Sequence, residues 1–218
     1  MTVTAARRTR PRRPEWLVPA GLIAVSLVPM LAGTLRLTQL AAGGPVTAGN
    51  ARFFDFPVPV IVHIVGSSLF LVLGALQFAP SLRRRRWHRV SGRIAAPAGL
   101  LSALSAVWMT LFSDLPDTDG PLLFGLRVVL APAMAAAIVV AVVAIRRGDA
   151  ATHSAWMTRA YAIGLGAGTQ AIVFLPWTLL LGAPGVPVHD LLMGLGWAVN
   201  LAVAEVVIRR RRRPSLSA

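Results

Sequence analysis

Six long apolar stretches alternate with short polar gaps along the chain, at about Trp16–Leu40, Pro57–Ala79, Gly92–Phe112, Pro121–Ile145, His153–Leu181 and His189–Ile208. Each is long enough, at roughly 1.5 Å of rise per residue, to cross a hydrocarbon core about 30 Å thick. Backbone amides in hydrocarbon must be satisfied within the segment, so runs of this length and composition predict helices rather than barrel strands. The expected fold is all-α, an integral membrane bundle of six transmembrane helices. The gap Gly43–Asp55 is rich in Gly, Pro and small polar residues, and Ser113–Gly120 is acidic and carries Pro116. Small residues recur within the stretches, among them Gly66 and Gly74, Gly164, Gly166 and Gly168, and Gly194 and Gly196. In lipid they allow helices to approach closely, which predicts packing seams.

The gaps differ in charge, and the difference alternates. Arg7, Arg8, Arg10, Arg12 and Arg13 precede the first stretch, Arg83–Arg86 with Arg89 and Arg93 follow the second, Arg146 and Arg147 the fourth, and Arg209–Arg213 the sixth. These are 18 of the 22 basic residues, and none is lysine. Arg52, Arg36 and most of the acids fall on the other gaps. Short loops dense in arginine stay cytoplasmic, so both termini are expected inside, with residues 1–15 and 210–218 as basic cytoplasmic segments flanking a transmembrane domain at 16–209. The arginine-rich start followed by an apolar run resembles a signal peptide. The run is longer than such a region and no small-residue cleavage site closes it, which favours an uncleaved first helix. Arginine clusters beginning at Arg83, Arg146 and Arg209 lie 63 residues apart. A repeated helix–loop–helix unit would give that spacing, and so would uniform helix lengths alone.

Composition agrees with a membrane protein: 218 residues, 56% hydrophobic and 14% charged, with mean hydropathy +0.67. A net charge of +14 would point to nucleic acid in a soluble protein. Here the charge abuts apolar runs, so anionic lipid headgroups are the expected partner and nucleic acid is not. Protein partners are not indicated by any motif. Zero cysteines exclude disulfides, thiolate metal sites and a cysteine nucleophile. Exclusive use of arginine with abundant Ala, Val, Leu and Gly points to a GC-rich bacterial source, and so to a bacterial inner membrane.

Ionisable side chains inside such helices are costly, so they face the bundle interior and need partners. Counted from the helix ends, they fall into two layers. His63 and Arg127 each lie six residues into a helix, ~9 Å below the edge by the helical rise, with Gln170 at a similar level and His189, Asp190 and Arg36 at the rim. In the other leaflet stand Arg159 and Glu205, of opposite charge at similar depth, with Arg93, His88 and His153 near the helix starts and Asn200 near the middle of the last helix. Each has a structural reading beside the functional one: Arg36 snorkels outward, Asp190 caps its helix, His88 and His153 touch headgroups, and Arg159 with Glu205 fixes helix register. His63 and Arg127 resist such readings, because neither is at an end and nearby apolar residues offer no partner.

Three function classes fit. Electron transfer through b-type haem leads, with His63 and His189 as candidate ligands of one haem and His88 and His153 of a second, and Arg127 and Arg36 meeting propionates. The depths of His63 and His189 differ by about 9 Å, which strains a shared iron, and no other metal is expected. The alternative is a small-solute or proton-coupled carrier whose outward pocket is formed by His63, Arg127 and Gln170; six spans without evident breaks argue against alternating access. The third is a non-catalytic lipid-binding or accessory protein. No H-E-x-x-H, G-x-S-x-G or phosphate loop occurs, which argues against a hydrolase.

The segments His63–Ile64–Val65–Gly66, Leu73–Gly74–Ala75–Leu76–Gln77–Phe78 and His88–Arg89–Val90–Ser91–Gly92–Arg93 form one pattern. With His153–Ser154–Ala155–Trp156–Met157–Thr158–Arg159–Ala160–Tyr161 and Asn200–Glu205, they resemble the bacterial membrane proteins grouped as domain of unknown function 2306. The resemblance runs from about Arg52 to Arg210. It implies a multi-pass membrane protein without an assigned activity, and marks His63, His88, Arg93, His153, Arg159 and Glu205 as residues to test. Many members carry an arginine near the position of Gln170, from which this chain departs.

Overall fold

The computed structural model describes residues 15–47, 49–83 and 86–212. The expected basic segment before residue 15, Arg84 and Arg85, and the tail after residue 212 lie outside the described residues. Everything regular among the described residues is helix: α1 (Leu17–Ala41), α2 (Ala51–Asp55), α3 (Pro57–Gln77), α4 (Pro80–Arg83), α5 (Arg86–Phe112), α6 (Pro121–Arg146), α7 (Ala150–Gly164), α8 (Gly166–Leu181) and α9 (Val186–Arg212). Five of these are long and apolar enough to cross a membrane, and α7 with α8 makes a sixth crossing if the bent pair is one span.

The expected apolar stretches thus become helices, with four departures. The fifth stretch is not continuous, because it breaks at Leu165 and bends by 43° between α7 and α8. The basic gap Ser81–Ser91 is largely helical, so the third span starts at Arg86 rather than Gly92. The last starts at Val186 rather than His189, and the gap after α1 contains the short α2. Charged and small polar residues lowered the apolar signal there without breaking the helices. Gly148 and Gly182 take positive φ of 80° and 78° immediately after α6 and α8, a conformation that side chains disfavour, and so end those helices.

Helix α3 packs on α5 and α1, α6 lies between α5 and α7, and α9 covers α6, α7 and α8. The buried core joins Phe70, Leu71 and Ala75 of α3 to Ala95 and Ala103 of α5, Met134, Ala137 and Ile138 of α6, and Ala160 and Tyr161 of α7. Side chains such as Leu31, Leu101, Val129, Leu179 and Leu180 instead stand exposed around the outside. A soluble fold would bury them, whereas a lipid-facing surface needs them apolar. At two points of the α3–α5 seam a β-carbon would collide with a neighbour: Gly66 faces the Ala98 carbonyl and Gly99 the Phe70 ring.

Candidate functional site

A cavity of about 440 Å³ opens at the bundle end bearing α2 and the α5–α6 turn, opposite the described chain ends. Its polar rim holds Arg52, Asp114, Asp119 and Arg127; its floor reaches Phe70, Met134, Ile163 and Gly164, about halfway along their helices. Of the twelve polar side chains singled out from the sequence, His63, Arg127 and Gln170 line it together.

His63 is set by α5. Its Nδ1 lies 3.0 Å from the Ser102 carbonyl oxygen. A carbonyl can only accept, so Nδ1 carries the proton and donates. Among the described residues Nε2 has no hydrogen-bond partner, which leaves it as the ring's acceptor in the cavity. The partner that Arg127 requires is Asp119, eight residues earlier, whose carboxylate accepts from Nη1. The Asp119 side chain is 4% exposed and that of Arg127 25%. Arg52, on α2, donates from Nη1 to the Asp114 carbonyl oxygen at 2.9 Å, and its buried Nε has no acceptor among the described residues. Burial lowers the Arg52 pKa from the ordinary arginine value; Arg127 and Arg36 push the same way, against Asp119 and Asp114.

The helix break forms part of the wall. Where α7 ends, the carbonyls of its last turn lose their helical donors, and α9 supplies replacements. Asn200 Nδ2 donates to the Ala162 oxygen at 3.1 Å and Trp197 Nε1 to the Ile163 oxygen at 3.2 Å. On the α8 side, Thr169 Oγ1 donates to Asn200 Oδ1 at 2.8 Å, and Gln170 Nε2 to the Met193 oxygen at 3.0 Å. A β-carbon on Gly166 would run into the Trp197 indole, and one on Gly168 into the Val25 carbonyl of α1. These glycines permit the close approaches that let α9 and α1 hold the break.

Past the cavity floor Tyr161 plugs the bundle interior, packing on Phe70 without itself lining the cavity. The Tyr161 ring lies 5.8 Å from that of Phe70 and 5.3 Å from that of Phe78, and its hydroxyl donates to the Leu71 oxygen at 2.9 Å. Beyond this plug, Arg159 and Glu205 form a two-pronged ion pair, Nε to Oε1 at 2.6 Å and Nη2 to Oε2 at 3.1 Å, with Arg159 also over the Trp156 ring.

The four histidines have different surroundings. Only His63 of the four lines the cavity. The His189 ring packs on Phe174 at 5.1 Å and its Nδ1 lies 3.7 Å from Asp190. His153 Nδ1 donates to the Ala141 oxygen at 2.9 Å, and the His88 carbonyl oxygen accepts from Gln77. Arg93 stands exposed on α5. Arg36 donates to Gln39 and lies over Phe53. Asp190 does not cap its own helix, because it sits a full turn inside α9 and caps α6 instead.

Arg52 and Asp119 were missed as site residues, although Asp119 stands two helical turns before Arg127, a spacing that could have flagged the pair. Trp197 gave no signal, because nothing in an apolar run marks which indole faces a broken turn.

A family model described as a predicted membrane protein (DUF2306) matches residues 60–208. No curated protein and no solved structure matches the chain.

Proposed function

Because the chain belongs to the DUF2306 family of predicted membrane proteins, whose description names no activity, we propose its function from the cavity: it is a small-solute carrier. The observation that supports this is the broken span. Non-helical backbone at membrane depth is tolerated where it is held by protein or lines a cavity, and carriers place discontinuous helices at their binding sites. The α7–α8 break does both, with Ile163 and Gly164 on the cavity floor and Gln170 on its wall. The absence of an evident break had been the sequence's argument against alternating access, and the break removes it.

In this reading solute enters from the rim and rests against His63, Gln170 and the floor. Tyr161, four residues before the break, closes the path beyond. Rotation of α7 about Leu165 would carry the Tyr161 ring away from Phe70 and Phe78 and open the other side. Electron transfer through two haems is supported less well: two axial histidines must converge on each iron, and the cavity offers His63 alone. The arginine-rich end and its expected cytoplasmic orientation in a bacterial inner membrane belong to this proposal, as does contact of that face with anionic headgroups.

The moving part can be measured directly. Spin labels on Leu180→Cys and Leu122→Cys, exposed near the rim ends of α8 and α6, should give two distance populations in lipid by pulsed electron spin resonance. One narrow population under every condition would contradict a hinge at Leu165.

A further inference from the structure

We infer that the cavity's ligand is an organic monoanion with an apolar body, bound by its acidic head between Arg52 and Arg127; this rests on the solute-binding reading above. The rim has more donors than acceptors. Each guanidinium carries five N–H groups. Among the described residues Arg127 gives one to Asp119, and Arg52 gives one to a backbone oxygen. Asp114, the other rim acid, has an exposed side chain and contributes its carbonyl instead. Two cations therefore share one buried carboxylate, and Arg52 keeps a buried Nε with no acceptor. A buried donor without a partner is costly, and a carboxylate or phosphate-like head would satisfy it with charge-assisted bonds.

Below the rim the character changes. Met30, Phe70, Leu130 and Met134 line the lower walls, and two of the lining hydroxyls are already engaged: Ser67 donates to the Ile64 oxygen and Thr110 to the Ala106 oxygen. A fully hydrated ion would lose its shell there without replacement. A ligand whose head stays at the rim and whose body descends matches both halves. Methionine walls accommodate aliphatic bodies of varied shape.

The chain has no cysteine, so Ala106→Cys on the cavity wall places a single thiol in the full-length protein. Its labelling by a trimethylammonium methanethiosulfonate reagent in proteoliposomes is read with octanoate, octanol or acetate at equal concentration. Octanoate at about ten times its dissociation constant should slow labelling about tenfold. Octanol and acetate should leave it unchanged. Adding Arg127→Gln should remove the protection, and so should Arg52→Gln, which lies outside the spans and spares the fold. Protection by octanol equal to that by octanoate, protection surviving both arginine variants, or equal protection of a lipid-facing Leu104→Cys would each overturn the anion site while leaving a solute cavity in place. Strong protection by acetate would overturn the requirement for an apolar body. A thiol at Ala106 unreactive from either side would instead overturn the cavity reading itself, and the ligand class with it.

Discussion

Asp190 accepts from the Gly120 amide at 2.9 Å and the Leu123 amide at 3.0 Å, so one carboxylate of α9 closes the first turn of α6. It is 2% exposed, and its negative charge meets the positive end of the α6 dipole. Asp190→Ala leaves two buried amides without acceptors and should cost about 1–3 kcal/mol, seen as a lower thermal unfolding midpoint in detergent. Asp190→Asn, with one oxygen left to accept, should fall between. A variant as stable as the parent would show that the amides find other partners. The Arg159–Glu205 pair contributes less, because both side chains reach solvent or headgroups at 25% and 37% exposure; about 1 kcal/mol or less is the scale for such a pair. Its role in fixing the register of α7 against α9 follows from its two-pronged geometry rather than its energy.

The break between α7 and α8 stands on two side chains of α9. Trp197→Phe keeps an aromatic ring but loses the five-membered ring with its N–H, removing the side-chain donor to the Ile163 oxygen at a cost of about 1 kcal/mol or more. Asn200→Leu loses bonds to both Ala162 and Thr169 and should cost roughly twice as much. Hydrogen exchange at the amides of residues 166–169 should rise in both variants, and more in the second; unchanged exchange would mean that the backbone holds the bend unaided. The sequence showed where six spans lie, since length and apolarity decide that. It also showed that Gly164, Gly166 and Gly168 face close neighbours. It could not show that this glycine run is a break, because small residues at a straight seam and at a bend look alike. His63, Arg127 and Gln170 were legible as one layer, because depth follows from counting along a helix. That His189 packs on Phe174 rather than lining the cavity was not, because counting gives depth and not the direction a helix face points.

Across the whole molecule the structure is asymmetric along the bundle. One end carries the polar rim and an open cavity, the middle holds the break and the Tyr161 plug, and the other end carries Arg159, Glu205 and the exposed arginines of α5, α6 and α9. On the carrier proposal, a cavity open at the rim is half of a transport cycle, and a hinge at Leu165 would supply the other half. The central claim is therefore that the cavity faces each side in turn. The direct measurement is the labelling of Ala106→Cys by an impermeant thiol reagent, applied to oriented membranes from one side and then from the other. A cavity that alternates reacts from both sides, with the slower rate on the side where Tyr161 stands. Labelling from the rim side alone, under all conditions, would contradict it.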